Sequence, residues 1–402
     1  MATGVPKIKW DNDPTAVVLP GQVVDLARVR ALRDRVEFAC VGPQRTSAAT
    51  NRLYWSDNFD ALQALRDDRS IAGKVRLIYI DPPYATNSVF QSKAMKSAYS
   101  DVLTGEKYLA FLRERLVILR DLLAEDGSIY VHLDENMVFH AKVMMDEVFG
   151  LRNFRSFITR RKCSSKNYTS KTFGDVSDYV LFYSKGDRYV WNRPKAPWTE
   201  EHADVEYPYV EEKTERRYKR VPLHAPGVRK SACGKPWRGM KPPAGRHWKT
   251  TPDKLEELDR RGEIYWSSKG NPRKKVYLDE SAGVSVTNLW LDCRDAHNQN
   301  VKITGYPTEK RYTILDRIVR ASSNHGDLVL DCFAGSGTTL AAASTLGRRW
   351  IGVDSSLEAI RTTAERLVNH HGDGAFEVLA PRTAMRDATA VAAIRAALRI
   401  SR

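Results

Sequence analysis

The chain has too few cysteines, too widely spread, for either of the structures that cysteines build. Its five, Cys40, Cys163, Cys233, Cys293 and Cys332, form no C-x-x-C pair. That argues against a disulfide framework and against a zinc cluster, so no metal is expected. Reduced thiols suit a cytosolic protein. No apolar run approaches the roughly 20 residues that cross a bilayer, and residues 1–20 lack the apolar stretch of a secretory signal. No glycine-rich segment ends in Gly-Lys-Ser or Gly-Lys-Thr, which disfavours phosphate transfer. None reads G-x-G-x-x-G, which disfavours a nicotinamide dinucleotide.

What the chain has in excess is positive charge. It carries 64 Lys and Arg against 49 Asp and Glu, a formal net charge of +15 over 402 residues. The hydrophobic fraction, 42%, is enough for a packed core, so the charge marks attraction to a polyanion rather than disorder. It concentrates in the middle of the chain: residues 211–250 hold 12 Lys and Arg, 3 Glu and no Asp. Tryptophans and tyrosines are interleaved across the wider region, from Trp191 to Trp266. Cations with aromatics suit phosphates and bases together, and Arg216, Arg217, Lys219 and Arg220 are the densest cluster. The competing reading is a loop-rich subdomain that uses its aromatics as a small core.

On either side the pattern is regular. Leu53-Tyr54-Trp55, Val75 to Ile80, Ser128 to Leu133, Leu328 to Leu330 and Trp350 to Val353 read as buried strands. Leu109, Leu112, Leu116, Leu119 and Leu123 recur at helical spacing over 106–124. Strand, helix, strand is the rhythm of a parallel sheet. Residues 1–50 look peripheral, with helical spacing from Val23 to Val36, and residues 85–104 read as a polar loop.

Two of the strands run into abrupt turns, where an open α/β sheet places its ligand crevice. One turn is Asp331-Cys332-Phe333-Ala334-Gly335-Ser336-Gly337-Thr338-Thr339. Its glycines let backbone approach a ligand, and the helix after it offers amide donors. Asp354 ends the next strand 23 residues later, where a carboxylate can accept hydrogen bonds from ribose hydroxyls. The other turn is Asp81-Pro82-Pro83-Tyr84. Two prolines fix the backbone and donate nothing. A carboxylate beside rigid carbonyls can accept both hydrogens of an exocyclic amine, which concentrates electron density on its nitrogen. Tyr84 offers a flat surface for stacking.

These motifs resemble those of the β-class DNA amino-methyltransferases, in which the Asp-Pro-Pro-Tyr motif precedes the cofactor loop. Here Asp81 precedes Phe333 by 252 residues. Trp55-Ser56-Asp57-Asn58 is similar to the family's segment at the cofactor adenine. The Ser177 to Lys185 stretch resembles a strand shaping the target-base pocket, and Gly305 to Lys310 resembles a segment at the methionine end, with Glu309 where glutamine is usual. The resemblance implies a Rossmann-like S-adenosylmethionine-dependent methyltransferase fold of the α/β class. Its sheet would be mostly parallel, with helices on both faces and an inserted target-recognition region.

The same resemblance implies a catalytic motif at Asp81, Pro82, Pro83 and Tyr84. It places the cofactor against Asp57, Asp81, Thr308, Lys310, Asp331, Phe333, Gly335, Ser336, Gly337, Thr338 and Asp354. It divides the chain into an extension (1–50), a first catalytic part (51–185), the insert (186–287) and a second catalytic part with a helical tail (288–402). The implied substrate is double-stranded DNA, its target base flipped out, in a cytoplasmic, nucleoid-associated enzyme. A homodimer and a cognate restriction endonuclease are further partners the resemblance allows. Aspartate rather than serine at position 81 tilts the base toward adenine N6. Cytosine N4, or a catalytically idle DNA-binding subunit on the same scaffold, are the alternatives.

Overall fold

A computed structural model describes residues 35–42, 51–83, 105–163, 171, 173–294, 310–371 and 376–399, and the backbone of 18–19 and 22–23. The chain divides into two compact units, Met1–Pro194 with Thr287–Arg402, and Lys195–Val286.

The larger unit is built on one ten-stranded sheet. In chain order its strands are β1 (Phe38–Cys40), β2 (Asn51–Trp55), β3 (Val75–Ile80), β4 (Leu123–Leu133), β5 (Phe154–Arg161), β6 (Ser177–Ser184), β7 (Leu289–Trp290), β8 (Leu328–Asp331), β9 (Arg349–Asp354) and β10 (Phe376–Pro381). Across the sheet they lie in the order β7-β5-β6-β4-β3-β8-β9-β2-β10-β1. Six of the nine pairings are parallel; those of β5 with β6, β6 with β4, and β10 with β1 are antiparallel.

The central strands are buried almost continuously, as Val75 to Ile80 shows with a single partly exposed residue, Arg76. Burial on both sides requires cover on both faces. Ile78 and Ile80 join Leu112, Leu116 and Leu119 of helix α2 (Gly105–Leu122) in one cluster. Leu77, alternating with them, is equally buried and points the other way. A methyl added at Gly352 of β9 would come within 2.4 Å of Leu340, so helix α5 (Thr338–Thr345) packs directly on that strand.

Three residues of the segment read as a peripheral extension belong to the sheet. Phe38 to Cys40 pairs with Leu379 to Pro381, and Phe38 packs edge-on against Tyr54. The helical reading of 23–36 falls mostly outside the described residues; Val23 itself pairs with Val18 in a two-residue ribbon. The polar stretch 85–104 also lies outside them. The five cysteines are free thiols. No described helix is long and apolar enough to cross a membrane.

The smaller unit carries a four-stranded antiparallel sheet in the order Tyr209–Val210, Arg217–Pro222, Pro272–Tyr277, Ile264–Trp266, and a hairpin of His224–Pro226 with Arg246–Trp248. Its aromatics are largely inward. Trp237 and Trp248 are buried with Leu223, Leu255 and Ile264, and Tyr207, Tyr218 and Tyr277 are buried too. The small-core reading of these rings therefore holds. The reason is compositional: few aliphatic residues are available here, and each ring buries a large area.

Candidate active site

Strands β3, β8, β9 and β2 are adjacent and parallel, so their carboxyl ends emerge side by side. Asp81 follows β3, Asp331 and Asp354 end β8 and β9, and Asp57 follows β2 by two residues. Four acids far apart in sequence are thus brought to one edge, the crevice edge of an open α/β sheet.

The glycine turn is shaped by two left-handed residues, Gly335 (φ +52°) and Gly337 (φ +74°). Asp354 accepts a hydrogen bond from the Gly335 amide at 2.8 Å through one oxygen and from the Ser356 amide at 2.9 Å through the other. Asp331 accepts from the Phe333 amide at 3.0 Å. The Thr363 hydroxyl donates to the Gly335 carbonyl at 3.0 Å, and a methyl at Gly337 would sit 2.7 Å from the same threonine. The Ser336 and Thr338 hydroxyls are buried, 3.1 Å apart, and the Arg366 guanidinium donates to Thr338 at 2.7 Å.

Asp81 is half-buried and lies 3.1 Å from the Lys310 ammonium. Pro82 is buried and Pro83 exposed. Tyr84 and Thr308 lie outside the described residues. Asp57 caps helix α1 (Asn58–Asp67), accepting from the Phe59 amide at 2.8 Å.

Two networks at this edge go beyond the sequence reading, which names Asn58 and Asp178 only as members of longer segments. Asn58 donates to the Cys332 carbonyl at 3.0 Å and accepts from Arg115 at 2.5 Å. Arg115 lies 3.6 Å over the Phe111 ring, which in turn contacts Phe333. The signal was present: Arg115 stands three residues after Leu112 and four before Leu119, on the apolar stripe of its helix, where a cation needs partners. The second group is a buried polar row across four strands. Tyr79 meets His132 at 2.8 Å, His132 meets Asp178 at 2.9 Å, and Arg160 grips Asp178 through both of its oxygens. Burial works against the Asp178 charge, but His132 and Arg160 hold its carboxyl well below the usual range. Burial raises the Tyr79 hydroxyl, with Asp81 and Asp331 adding to the effect.

Asp331 is 2% exposed. Burial pushes its carboxyl up to about 7; Thr339 and the Phe333 amide oppose this, and Asp81 and Asp354 add to it. A carboxyl whose folded value lies above its unfolded value of 3.8 favours the folded state only while protonated. Its ionisation penalty is absent below about pH 4 and grows as pH rises to about 7, reaching about 4 kcal/mol at roughly 1.4 kcal/mol per unit. Asp331→Asn should therefore raise the melting temperature of the ligand-free protein at pH 8 and change it much less at pH 5. A melting curve raised equally at both values would refute the assignment. The same cluster defines what the crevice can hold. Three acids around a close-approach glycine turn, with Asp81 and Asp354 disfavouring charge on Asp331, suit a ligand that brings positive charge of its own. Among the described residues no group of three His, Cys, Asp or Glu could hold a metal ion.

Residues 75–365 match the DNA methylase model of the N6/N4 methyltransferase family. The chain belongs to this family. Over 316 residues it is 50% identical to the type II methyltransferase M.EcaI of Enterobacter cloacae, an alignment covering 79% of the chain and 69% of that protein. It is 25% identical to the StyLTI Mod subunit, a type III restriction-modification protein of Salmonella typhimurium, over 74% of the chain and half of that subunit. A solved complex of M1.HpyAVI with S-adenosylmethionine superposes with a TM-score of 0.42 at 16% identity, covering 79% of this chain and 99% of that one. The enzyme is thus a DNA methyltransferase of the N6/N4 family, and its methyl donor is S-adenosylmethionine.

Proposed function

We propose that this methyltransferase acts on adenine N6 in double-stranded DNA, on a base turned out of the helix. The observation that carries the reading is Asp81 at the end of β3, followed by two prolines and paired with Lys310 at 3.1 Å. Asp81 is the acceptor for the N–H groups of the incoming amine. Pro82 and Pro83 hold their carbonyls in fixed directions, so little reorganisation accompanies the reaction. Lys310 offsets the carboxylate charge and keeps the side chain over the crevice.

The chain's own residues supply the cofactor cradle. Asp331 and Asp354 bring negative charge, Gly335 and Gly337 allow close approach, and Asp57, Phe333, Ser336 and Thr338 line the same edge. S-adenosylmethionine supplies an electrophilic methyl group on a positively charged sulfur. With that donor bound, the amine nitrogen would take the methyl carbon as the carbon–sulfur electron pair returns to sulfur, and Asp81, accepting from the amine N–H, would pass the released proton to solvent.

The test is direct. The full chain is incubated with duplex DNA and isotopically labelled donor, and the DNA is hydrolysed to nucleosides for chromatography. Label in N6-methyladenine is expected. Label in N4-methylcytosine would overturn the choice of base, and unlabelled DNA would overturn the activity.

A further inference from the structure

The Lys195–Val286 unit contains a cavity of its own, about 510 Å³, between its central strand and the helix Pro252–Arg260. Its floor is apolar: Leu223 and Leu255 are buried and Leu258 partly so. Its rim carries Lys249, Lys254, Lys274 and Arg261, with one carboxylate, Glu257. None of the three lysines has an acidic partner among the described residues, whereas Arg261 pairs with Glu263 at 2.5 Å and with Glu257 at 3.8 Å.

The cluster that looks most basic in sequence is differently placed. Arg216 is bound by Asp279 and Glu280, Arg217 by Asp204 and Lys219 by Glu206. Arg220 lies over the rings of Tyr209 and Tyr265, 3.5 and 3.4 Å from their centroids. Much of that charge is neutralised within the unit. The His224 imidazole, next in sequence to the floor residue Leu223, is pushed down by burial and then by Arg246, Lys249 and Arg273.

An apolar floor under a ring of unpaired ammonium groups suits a ligand with a sugar-like body and a phosphate. We propose that this cavity seats a phosphodiester of the DNA, its phosphate on Lys249, Lys254 and Lys274 and its deoxyribose on Leu223, Leu255 and Leu258. The proposal rests on the DNA substrate proposed above. A free mononucleotide shares the chemistry, and the test separates the two.

Duplex DNA binding to the full chain is followed by fluorescence anisotropy from 50 to 300 mM salt. The variant combines Lys249→Gln, Lys254→Gln and Lys274→Gln. Loss of one phosphate contact should lower the log–log salt slope by about 0.9, with affinity falling about tenfold at 150 mM salt, one phosphate contact's share of the binding. The matching triple change to arginine should restore both. Neutralising Arg216, Arg217, Lys219 and Arg220 together should change the slope less than the lysine triple does. Calorimetric S-adenosylmethionine binding and a cooperative melt, matched to the parent protein, exclude misfolding. An unchanged slope in the lysine triple, while the parent protein binds DNA, overturns the cavity and leaves the substrate standing. A parent protein that fails to bind DNA at all overturns both. Displacement of DNA by deoxyadenosine monophosphate at far lower concentration than a phosphodiester competitor would make the occupant a free nucleotide and overturn the DNA assignment.

Discussion

Asp81→Ala should cut methyl transfer by about 10²- to 10⁴-fold, the range over which a positioned proton acceptor contributes. DNA affinity should persist, because Asp81 sits at the sheet edge, half-buried and paired with Lys310, rather than on an exposed cationic surface. The alanine variant removes the only side-chain acceptor at the start of the Asp-Pro-Pro turn and leaves Lys310 without its 3.1 Å partner. Asp81→Asn keeps one acceptor oxygen and loses the charge, so its rate should fall between those of the parent and alanine enzymes. Single-turnover kinetics with preformed enzyme–DNA complex isolates the chemical step. An alanine variant that transfers methyl at the parent rate would remove Asp81 from the mechanism.

Gly335→Val should weaken S-adenosylmethionine binding by about 10- to 10²-fold, which at 25 °C is about 1.4–3 kcal/mol. One of two costs applies. Gly335 has φ +52°, and a left-handed conformation costs an ordinary L-residue about 1–2 kcal/mol, more for a β-branched one. If the turn relaxes to avoid that strain, the amide of Gly335 leaves the Asp354 carboxylate it now meets at 2.8 Å, a charge-assisted bond worth about 1.5–3 kcal/mol. Gly335→Ala should fall between. Calorimetric titration measures all three, and an unchanged dissociation constant in a cooperatively melting valine variant would place the cofactor elsewhere.

The parts of the fold that could be read from sequence are those whose signal is local. Strands β3, β8 and β9 announce themselves as apolar runs because both their faces are covered. The turns after them announce themselves because glycine and proline have few alternative uses there. What could not be read depends on pairing at a distance. Strand β1 is three residues long, and its partner lies about 340 residues away; nothing in Phe38-Ala39-Cys40 marks an edge strand. The row from Tyr79 to Arg160 is spread over four strands that only the sheet order brings together. The insert shows the opposite failure. Its cations and rings were plain in the sequence, but composition does not say which arginines are already matched with Asp204, Glu206, Asp279 and Glu280, nor that Trp237 and Trp248 face inward.

The outermost strands of the large sheet are its shortest. One rim ends in Phe38–Cys40 and the other in Leu289–Trp290, three and two residues long. A long, bare rim would offer a ladder of backbone donors and acceptors to any passing strand. These two offer only a rung or two each, so a second copy of the enzyme gains little by continuing the sheet. Self-association, where it occurs, must draw on side-chain contacts rather than on strand addition, and its strength should follow substitution of those side chains rather than the length of either rim.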